Sequence, residues 1–252
     1  MTKPTVLITG ASAGFGYAMA VKYYQNGHPL VLAARRLDKL EALKEKLGGG
    51  DDIYVARLDV CDTPAIEQFV KVIPESLRPI GILINNAGLA LGLEKFAQAD
   101  MADVETMIDT NIKGLIHVTK EVLPYMINEG KGHIVNIGSM AGNWPYAGGH
   151  VYCATKAFVQ QFSRCLRSDV HGLGIRVTNI EPGLAQTEFS LVRFKGDDQR
   201  ANGVYENKQA LTAEDIAEIV YFTTALPAHV NINTLEVMPT AQSWSPLQVA
   251  EK

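Results

Sequence analysis

The amino-acid sequence predicts an α/β fold, in which a doubly wound parallel sheet of about seven strands carries helices on both faces. Short apolar runs alternate along the chain with segments whose apolar residues recur at helical spacing. The apolar runs are nearly continuous in Val, Ile and Leu, as in strands that are buried on both faces of a sheet. A chain of 252 residues is also an ordinary length for one α/β domain. We therefore predict a single domain over residues 1–252.

Strands and helices are expected to alternate along the whole sequence. The predicted strands are Thr5–Thr9, Leu30–Ala34, Ile53–Leu58, Gly81–Ile84, His133–Ile137, Ile175–Ile180 and Leu235–Met238. The predicted helices cover residues 14–26, 38–47, 63–72, 100–128, 150–171 and 212–225. Asp38 and Glu41 place negative charge at the start of the second helix, which favours a helix N-terminus there. This alternation indicates parallel strands joined by crossover helices.

Two segments are predicted to lie outside the strands and helices. Residues 186–210 are polar and irregular and follow a late strand, where α/β sheets carry the loops that cover ligands. We expect this segment to be a substrate-covering loop. Residues 239–252 form a C-terminal tail, which would be able to reach a neighbouring subunit.

The composition argues against several classes of protein. Hydrophobic residues make up 47% of the chain and charged residues 20%, which are values typical of a globular protein with a large core. The net charge of −4 and the lack of a basic patch disfavour nucleic acid as a partner. No run of 18 apolar residues occurs, so we expect no membrane partner. The three cysteines form no C-x-x-C pair, which predicts no disulfide framework, no metal site and a cytoplasmic location.

A glycine-rich turn directly follows the first predicted strand. Residues 9–16 read TGASAGFG, and a helical pattern begins at once. Glycines at such a turn let the backbone approach a pyrophosphate, and the helix N-terminus attracts its negative charge. The spacing is T-G-x-x-x-G-x-G rather than the standard G-x-G-x-x-G. Taken alone, the cluster would also fit a tight turn without a ligand.

The residues after the second strand distinguish NAD from NADP. An NAD site places an acidic residue there for the ribose 2′-hydroxyl group, and this chain has no Asp or Glu before Asp38. It has Arg35 and Arg36 instead, and arginine suits bidentate binding of a phosphate. We therefore predict NADP(H) as the cofactor, with a solvated surface pair as the alternative for the two arginines. Asp59 and Val60, after the third strand, would flank the adenine.

Three residues form a candidate catalytic set. Tyr152 and Lys156 stand four residues apart at the start of a helical pattern, so their side chains share one helix face. A free tyrosine has a pKa of about 10, and a nearby ammonium group lowers the pKa of a phenol. The pair would therefore serve general acid–base catalysis. Ser139 follows the fifth strand, at the edge of the sheet where ligands bind, and its hydroxyl group would hold a substrate oxygen.

The motifs together carry a family resemblance. The T-G-x-x-x-G-x-G turn is followed in order by N-N-A-G at 85–88, Ser139, the Y-x-x-x-K pair and E-P-G at 181–183. In this combination the chain resembles the short-chain dehydrogenase/reductase family over essentially its whole length. The resemblance implies a single-domain Rossmann fold and an NADP-dependent enzyme that transfers a hydride between the nicotinamide and an alcohol or carbonyl carbon. Phe15 stands where many members carry Ile, and both side chains are apolar.

The resemblance also implies roles for individual residues. Ser139 would bind the substrate oxygen, and Tyr152 would transfer the proton. Lys156 would lower the pKa of Tyr152 and hold the nicotinamide ribose, while Asn111 would support a water-mediated proton relay. With the positions given above, the cofactor-binding residues expected are Thr9, Gly10, Ser12, Gly14, Phe15, Gly16, Arg35, Arg36, Asp59, Val60, Asn86, Ala87, Gly88, Tyr152, Lys156, Pro182, Gly183 and Thr187.

A closer resemblance narrows the substrate. Residues 87–92, 143–149, 192–198 and 226–233 are similar to those of bacterial NADP-dependent 3-hydroxy acid dehydrogenases, also called serine or allo-threonine dehydrogenases. Sulfoacetaldehyde reductases, which make isethionate, are similar to the same group. Both resemblances imply a small anionic hydroxy acid or aldehyde as the substrate. The choice between carboxylate and sulfonate stays open, as do the stereochemistry and the physiological direction.

An anionic substrate calls for a cation in the pocket, and Arg193 is the candidate. It lies in the predicted substrate-covering loop, and its fork of donors fits a carboxylate or a sulfonate equally well. The alternative is that Arg193 and Lys195 pair with Asp197 and Asp198 at the surface. Tyr146 and Asn143 would add polar contacts to the substrate, together with Ser139 and Tyr152, whereas Trp144 is interpreted as a packing residue.

Two other functions remain as alternatives. A nucleotide-sensing regulator on the same fold would not need Ser139, Tyr152 and Lys156 together. A broad-range carbonyl reductase would act on uncharged ketones and would not depend on Arg193. The resemblance further implies a homo-oligomer, a dimer or a homotetramer, packed through the helical stretches 100–128 and 150–171.

Overall fold

Seven parallel strands form one sheet in the computed structural model, which describes residues 3–244. The strands are β1 Thr5–Thr9, β2 Leu30–Ala34, β3 Ile53–Arg57, β4 Ile80–Asn85, β5 Gly132–Ile137, β6 Ile175–Pro182 and β7 Thr234–Val237. Their order in the sheet is β3-β2-β1-β4-β5-β6-β7, and every pairing is parallel. The order reverses between β1 and β4, which is the position where open α/β sheets bind ligands.

The predicted fold class is confirmed, and the seven predicted strands match the observed ones to within two residues at each end. The largest difference is at β6, which continues to Pro182 because β7 pairs with it as far as Val237. Glu181 and Pro182 of the E-P-G motif therefore form the carboxyl end of β6, and Gly183 follows directly. That all 252 residues form one domain stays a prediction, since residues 245–252 of the predicted tail lie outside the described residues.

Helices cover both faces of the sheet. They are α1 Gly14–Gln25, α2 Leu37–Lys46, α3 Thr63–Val72, α4 Met101–Ile108, α5 Leu115–Glu129, α6 His150–Asp169, α7 Phe189–Arg193, α8 Asp198–Gly203 and α9 Ala213–Ala225. Among residues 3–244, no helix is long and apolar enough to cross a membrane.

Two predictions about the helices are wrong in detail. The stretch 100–128 is not one regular α-helix, because Asp109–Gly114 form a π-helix between α4 and α5. Within this wider turn the Asn111 side chain makes two hydrogen bonds with the backbone of Leu89. The segment 186–210 is not irregular throughout, since it contains the short helices α7 and α8. The side chain of Asp197 caps α8 by accepting a hydrogen bond from the backbone N–H of Arg200 at 3.0 Å.

Each face of the sheet has its own apolar core. Successive residues of a strand point to opposite faces, so Val6 and Ile8 pack with α1, α2 and α9, whereas Leu7 packs with α3, α5 and α6. Burial of one such side chain contributes about 1.5–3 kcal/mol. The two cores hold the sheet rigid, and the loops at the carboxyl ends of β1, β4, β5 and β6 are thereby fixed around one space.

Candidate active site

A cavity of about 410 Å³ lies at the carboxyl ends of β1, β4, β5 and β6. It contains residues from the glycine-rich turn, from the N-N-A-G segment, from the loop after β5 and from the loop after β6. The predicted site residues that line it are Gly10, Ser12, Gly14, Phe15, Arg36, Asn86, Ala87, Gly88, Ser139, Tyr146, Tyr152, Lys156, Pro182, Gly183, Thr187 and Arg193. Residues as distant in sequence as Gly10 and Arg193 thus share one cavity.

The glycine turn has a backbone that other residues would not adopt. Gly10 and Gly14 have positive φ angles of 67° and 52°. A Cβ atom on Gly16 would lie 2.4 Å from the carbonyl oxygen of Gly10, so helix α1 packs directly on the turn. Ala13, the N-cap of α1, has no side chain that accepts a hydrogen bond from the first turn of the helix. The first N–H groups of α1 therefore fit a pyrophosphate.

Thr9 and Asn86 tie the turn to the end of β4. The Thr9 hydroxyl group accepts hydrogen bonds from the backbone N–H groups of Asn86 and Ala87 at 3.1 and 3.0 Å. The Asn86 side-chain amide donates to the carbonyl oxygen of Thr9 at 2.8 Å. Thr9 and Gly16 themselves lie behind the cavity, where they shape its wall.

The two adjacent arginines differ in position. The Arg36 guanidinium group lines the cavity, donates to the Ser12 hydroxyl group through two nitrogens at 3.2 Å, and forms a 2.9 Å ion pair with Glu188. Arg35 is exposed and does not line the cavity. Arg36 and Ser12 are thus the groups that fit a 2′-phosphate, and Glu188 is an acidic neighbour that the sequence did not point to.

Asp59 and Val60 do not reach the cavity. The Asp59 carboxylate accepts a hydrogen bond from the backbone N–H of Cys61 at 3.0 Å, and Val60 is buried. A Cβ atom on Gly114 would lie 2.7 Å from the Val60 side chain, so Val60 packs on the π-helix.

Ser139, Tyr152 and Lys156 line the cavity together. The Ser139 hydroxyl group accepts a hydrogen bond from the backbone N–H of Ala141 at 3.1 Å, which orients the serine at the start of a short turn. The Lys156 ammonium group donates to the Ile137 carbonyl oxygen at 2.8 Å and lies 5.8 Å from the centroid of the Tyr152 ring. This arrangement places a hydroxyl group, a phenol and an ammonium group around one point.

Burial dominates the pKa values of the two titratable groups. It raises the pKa of Tyr152, while a hydrogen bond with Ser139 and the positive charge of Arg193 act in the opposite direction. It lowers the pKa of Lys156 to about 8. Tyr152 is therefore a neutral proton donor near pH 7, and it needs nearby positive charge or a hydrogen bond to act as a base.

Asn111 lies behind Tyr152 and Lys156 rather than in the cavity. Its side-chain oxygen accepts from the backbone N–H of Leu89 at 2.9 Å, and its side-chain nitrogen donates to the Leu89 carbonyl oxygen at 2.8 Å. A Cβ atom on Gly88 would lie 3.2 Å from Asn111 and 3.5 Å from the Lys156 nitrogen. Asn111 and Lys156 therefore approach each other across Gly88, a position that has no side chain.

Arg193 points into the cavity, not toward the acidic residues that follow it. One guanidinium nitrogen donates to the Tyr146 hydroxyl group at 2.7 Å, and the guanidinium carbon lies 5.2 Å from the centroids of both the Tyr152 and Phe189 rings. Lys195 forms its ion pairs with Asp103 and Asp100 instead, at 2.8 and 3.9 Å. Within residues 3–244, neither Asp197 nor Asp198 forms a salt bridge.

Asn143 faces away from the cavity. Its amide nitrogen donates to Glu181 at 2.8 Å and to Glu236 at 3.3 Å, and its oxygen accepts from Gln160. Burial raises the pKa of Glu181, and the hydrogen bonds from Gln160 and Asn143 oppose that shift. The geometry gives Asn143 a role in holding the loop after β5 to the sheet edge.

Several residues of the cavity were missed by the sequence analysis. Trp144 lines it, although the sequence was interpreted as giving it a packing role, and its indole N–H also donates to Glu236 at 2.7 Å. Gln242 lines it from the segment predicted as a tail, because its oxygen accepts from the backbone N–H of Leu184 at 2.7 Å. The others include Met140, Glu188, Phe189 and Tyr205. Glu188, Phe189 and Tyr205 lie in the segment 186–210 that was predicted to cover the substrate, and Trp144 lies in the segment 143–149, but no pattern singled out these individual residues.

Comparisons with known proteins agree with this geometry. A family model described as short chain dehydrogenase matches residues 4–197. An NADP-dependent 3-hydroxy acid dehydrogenase of Salmonella typhi is 56% identical over 245 residues, which are 97% of this chain and 98% of that protein. A sulfoacetaldehyde reductase of Chromohalobacter salexigens is 51% identical over 97% of both chains. A closed form of serine dehydrogenase complexed with NADP⁺ superposes with a TM-score of 0.96 at 54% identity, over 98% of this chain and 100% of that one.

Proposed function

This chain belongs to the short-chain dehydrogenase/reductase family, and we propose that it interconverts a short anionic 3-hydroxy acid, such as serine or allo-threonine, with its oxo form, using NADP(H). The observation that carries the proposal is the Arg193 guanidinium group, which lies beside Tyr152 in the same cavity as Ser139 and Lys156. The names of the 56% identical dehydrogenase and of the NADP⁺ complex support the same substrate class and cofactor.

The residues of the glycine turn fit NADP(H). Gly10, Gly14 and the first N–H groups of α1 would hold the pyrophosphate, and Ser12 with Arg36 would hold the 2′-phosphate. Asn86 and Gly88 line the wall between this turn and the catalytic residues. Pro182, Gly183 and Thr187, at the end of β6, would contact the nicotinamide side. When bound, the nicotinamide accepts or supplies the hydride, and the protein provides orientation and charge.

The proton is handled by the residues of the chain. In oxidation, the substrate O–H and C–H bonds break and a C=O bond forms, with the proton going to the Tyr152 phenolate oxygen. In reduction, the Tyr152 hydroxyl group returns the proton to the carbonyl oxygen. Ser139 orients that oxygen by a hydrogen bond, and Lys156 holds positive charge near the phenol. Asn111 fixes the backbone beside Lys156, where a water-mediated relay to solvent would begin.

The substrate anion would bind Arg193. The guanidinium group is held by the Tyr146 hydroxyl group and packs against aromatic rings, so its remaining N–H donors are preoriented. A carboxylate two carbons from the reacting hydroxyl group would then reach Arg193 while the hydroxyl group reaches Ser139 and Tyr152. Trp144, Phe189 and Tyr205 add apolar walls that suit a small substrate.

Reduction of sulfoacetaldehyde to isethionate is the second candidate function. It is favoured by the sulfoacetaldehyde reductase that is 51% identical to this chain. A sulfonate has the same charge as a carboxylate, and one guanidinium fork serves both. In a broad-range carbonyl reductase, Arg193 would have no role. In a nucleotide sensor, Ser139, Tyr152 and Lys156 would have no role together.

A panel of substrates tests the proposal. We would measure initial rates with NADP⁺ or NADPH for L-serine, L-allo-threonine, 3-hydroxypropionate, isethionate, sulfoacetaldehyde and a neutral ketone. Fastest oxidation of the hydroxy acids is expected. A kcat/KM for sulfoacetaldehyde that is about tenfold higher or more would assign the enzyme to sulfonate chemistry instead. A preference for the neutral ketone would refute both anionic assignments, and cofactor binding without turnover would favour the nucleotide sensor.

A cytoplasmic homotetramer is the proposed form of the enzyme. All three cysteines are free thiols, which suits a reducing compartment. Helix α5 exposes Tyr125 and Ile127, and α6 carries the stacked pair Phe158 and Phe162, so both helices offer apolar surface for packing between subunits. Light scattering coupled to size-exclusion chromatography would give about four chain masses. A single chain mass at micromolar concentration would refute the assembly.

A further inference from the structure

Arg193 lies in an aromatic setting that contacts the catalytic tyrosine directly. Its guanidinium carbon is 5.2 Å from the Tyr152 ring centroid, 5.2 Å from that of Phe189 and 5.7 Å from that of Tyr146. The hydrogen bond to the Tyr146 hydroxyl group fixes one of its nitrogens at 2.7 Å. The charge therefore has one defined position, held by the helix α7 that carries it.

Among the described residues, no carboxylate neutralises the charge of Arg193. Across residues 3–244 it forms no salt bridge with a carboxylate, and its buried Nε atom has no hydrogen-bond partner. Lys195, two residues later, is exposed and forms a salt bridge with Asp103. A cation in an apolar wall without a counter-ion acts strongly on the groups next to it.

Among the described residues, four titratable or charged groups lie near Tyr152. Lys156 and Cys153 lie on its own helix, Tyr146 is in the loop after β5, and Arg193 is on α7. Burial lowers the pKa of Lys156 to about 8, so its ammonium group begins to lose its proton in mildly alkaline solution. Arginine keeps its charge throughout this range. Arg193 is therefore the permanent cation beside Tyr152, and its charge lowers the pKa of the phenol against the effect of burial.

We propose that Arg193 sets the proton affinity of Tyr152, and that the substrate anion changes this affinity by binding the same guanidinium group. The proposal rests on the proposed function, in which Arg193 binds the substrate anion. In the free enzyme the unneutralised cation favours the phenolate, which is the form that accepts a proton from an alcohol. A bound carboxylate or sulfonate offsets the cation and favours the protonated phenol, which is the form that donates to a carbonyl group.

The pH dependence of the rates tests the idea. The pH profile of kcat/KM reports the free enzyme, and that of kcat reports the enzyme–substrate complex. For oxidation of an anionic hydroxy acid, the apparent pKa in the pH profile of kcat should exceed that in the profile of kcat/KM by about one unit. A shift of this size is expected for two unit charges about 6 Å apart at an intermediate dielectric constant. For a neutral alcohol the two values should agree to within about 0.3 unit.

Substitution of Arg193 separates this role from substrate binding. With the neutral alcohol, Arg193→Met should raise the apparent pKa in kcat/KM by about one unit, and Arg193→Lys should restore most of the difference. Lys195→Met is the matched control, because it removes a nearby cation that is paired and does not contact Tyr152, and it should cause no shift. Circular dichroism and thermal unfolding would confirm that the variants fold.

A spectroscopic titration gives a readout that needs no substrate. The ultraviolet absorbance of tyrosinate is followed with pH, and the difference from the matching Tyr152→Phe protein isolates Tyr152 among the nine tyrosines. The Tyr152 titration should move to higher pH in Arg193→Met. An unchanged titration and an unchanged neutral-substrate profile would overturn the proposal, as would an equal shift in Lys195→Met. If no anionic substrate is turned over, the proposed function fails, and the tyrosinate titration still decides the link between Arg193 and Tyr152.

Discussion

Substitution of Arg36, with Arg35 as its control, is the sharpest test of the cofactor assignment. The sequence offers both arginines to a 2′-phosphate, but the structure puts only Arg36 at the cavity, where it contacts Ser12 and Glu188. Arg36→Ala removes the guanidinium group that would bind the phosphate. Arg35→Ala removes an equal charge from the neighbouring position, which is exposed and outside the cavity.

The expected loss follows from the contacts of Arg36. A hydrogen bond to a charged group contributes about 1.5–3 kcal/mol. A guanidinium group can donate two such bonds to one phosphate, and because the Arg36 side chain is 45% exposed each bond is taken at the low end of that range. The exposed ion pair with Glu188, which competes for Arg36, offsets about 1 kcal/mol of their sum and leaves about 2 kcal/mol. A net loss of about 1.4–2.8 kcal/mol corresponds to a 10- to 100-fold weaker affinity for NADPH.

Fluorescence titration or calorimetry would give the dissociation constants of NADPH and NADH for each variant. Arg36→Ala should weaken NADPH binding by about 10- to 100-fold and change NADH binding by less than about threefold. Arg35→Ala should change either affinity by less than about threefold, because long-range attraction between exposed charges is screened by salt. Equal effects of the two substitutions, or equal losses for NADPH and NADH in Arg36→Ala, would refute the assignment of the 2′-phosphate site.

Three further predictions concern the proposed catalytic tyrosine, a buried histidine and the glycine turn. Tyr152→Phe should lower kcat by about 10²- to 10⁴-fold while NADPH affinity stays within about threefold of its original value, and a comparable loss in the exposed control Tyr125→Phe would contradict this. Burial lowers the pKa of His133 to about 3, so the unfolded chain binds its proton first as the pH falls below about 6.5. The free energy of unfolding, measured by urea denaturation, should then fall by up to about 1.4 kcal/mol for each pH unit of acidification. His133→Gln should make this pH dependence shallower, and an unchanged pH dependence would exclude His133 as its cause. Gly16→Ala should weaken NADPH binding more than tenfold and lower the Tm, because its Cβ would meet the Gly10 carbonyl oxygen, whereas Gly203→Ala has open space and should be neutral or slightly stabilising.

The sheet and the proximity of Tyr152 to Lys156 were predictable because their signals are local. A continuous run such as Leu30–Ala34 has few alternatives to a buried parallel strand, and each run of this kind matched an observed strand. Tyr152 and Lys156 stand at a fixed helical spacing, so their proximity follows from the helix alone. The order of the family motifs along the chain then predicts that they come together at the carboxyl ends of the strands.

The features that were missed depend on contacts that are distant in sequence. The π-helix Asp109–Gly114 has nearly the same apolar spacing as an α-helix over six residues, and its contacts, such as the hydrogen bond between Asn111 and Leu89, are distant in sequence. Glu188 contacts Arg36 across 152 positions, and Gln242 accepts a hydrogen bond from the backbone N–H of Leu184 at the cavity. No pattern among neighbouring residues predicts such long-range contacts, so only the structure reveals them.

The relative kcat/KM for 3-hydroxypropionate and its methyl ester tests the central claim most directly. The two compounds present the same hydroxyl group to Tyr152, and only the acid presents an anion to Arg193. We expect the enzyme to oxidise the acid at least about 50-fold more efficiently with NADP⁺, as befits a charge-assisted contact, and Arg193→Met to remove most of that preference. Equal efficiency for acid and ester, or a preference that survives in Arg193→Met, would contradict an anion-binding site at Arg193 and with it the 3-hydroxy acid assignment.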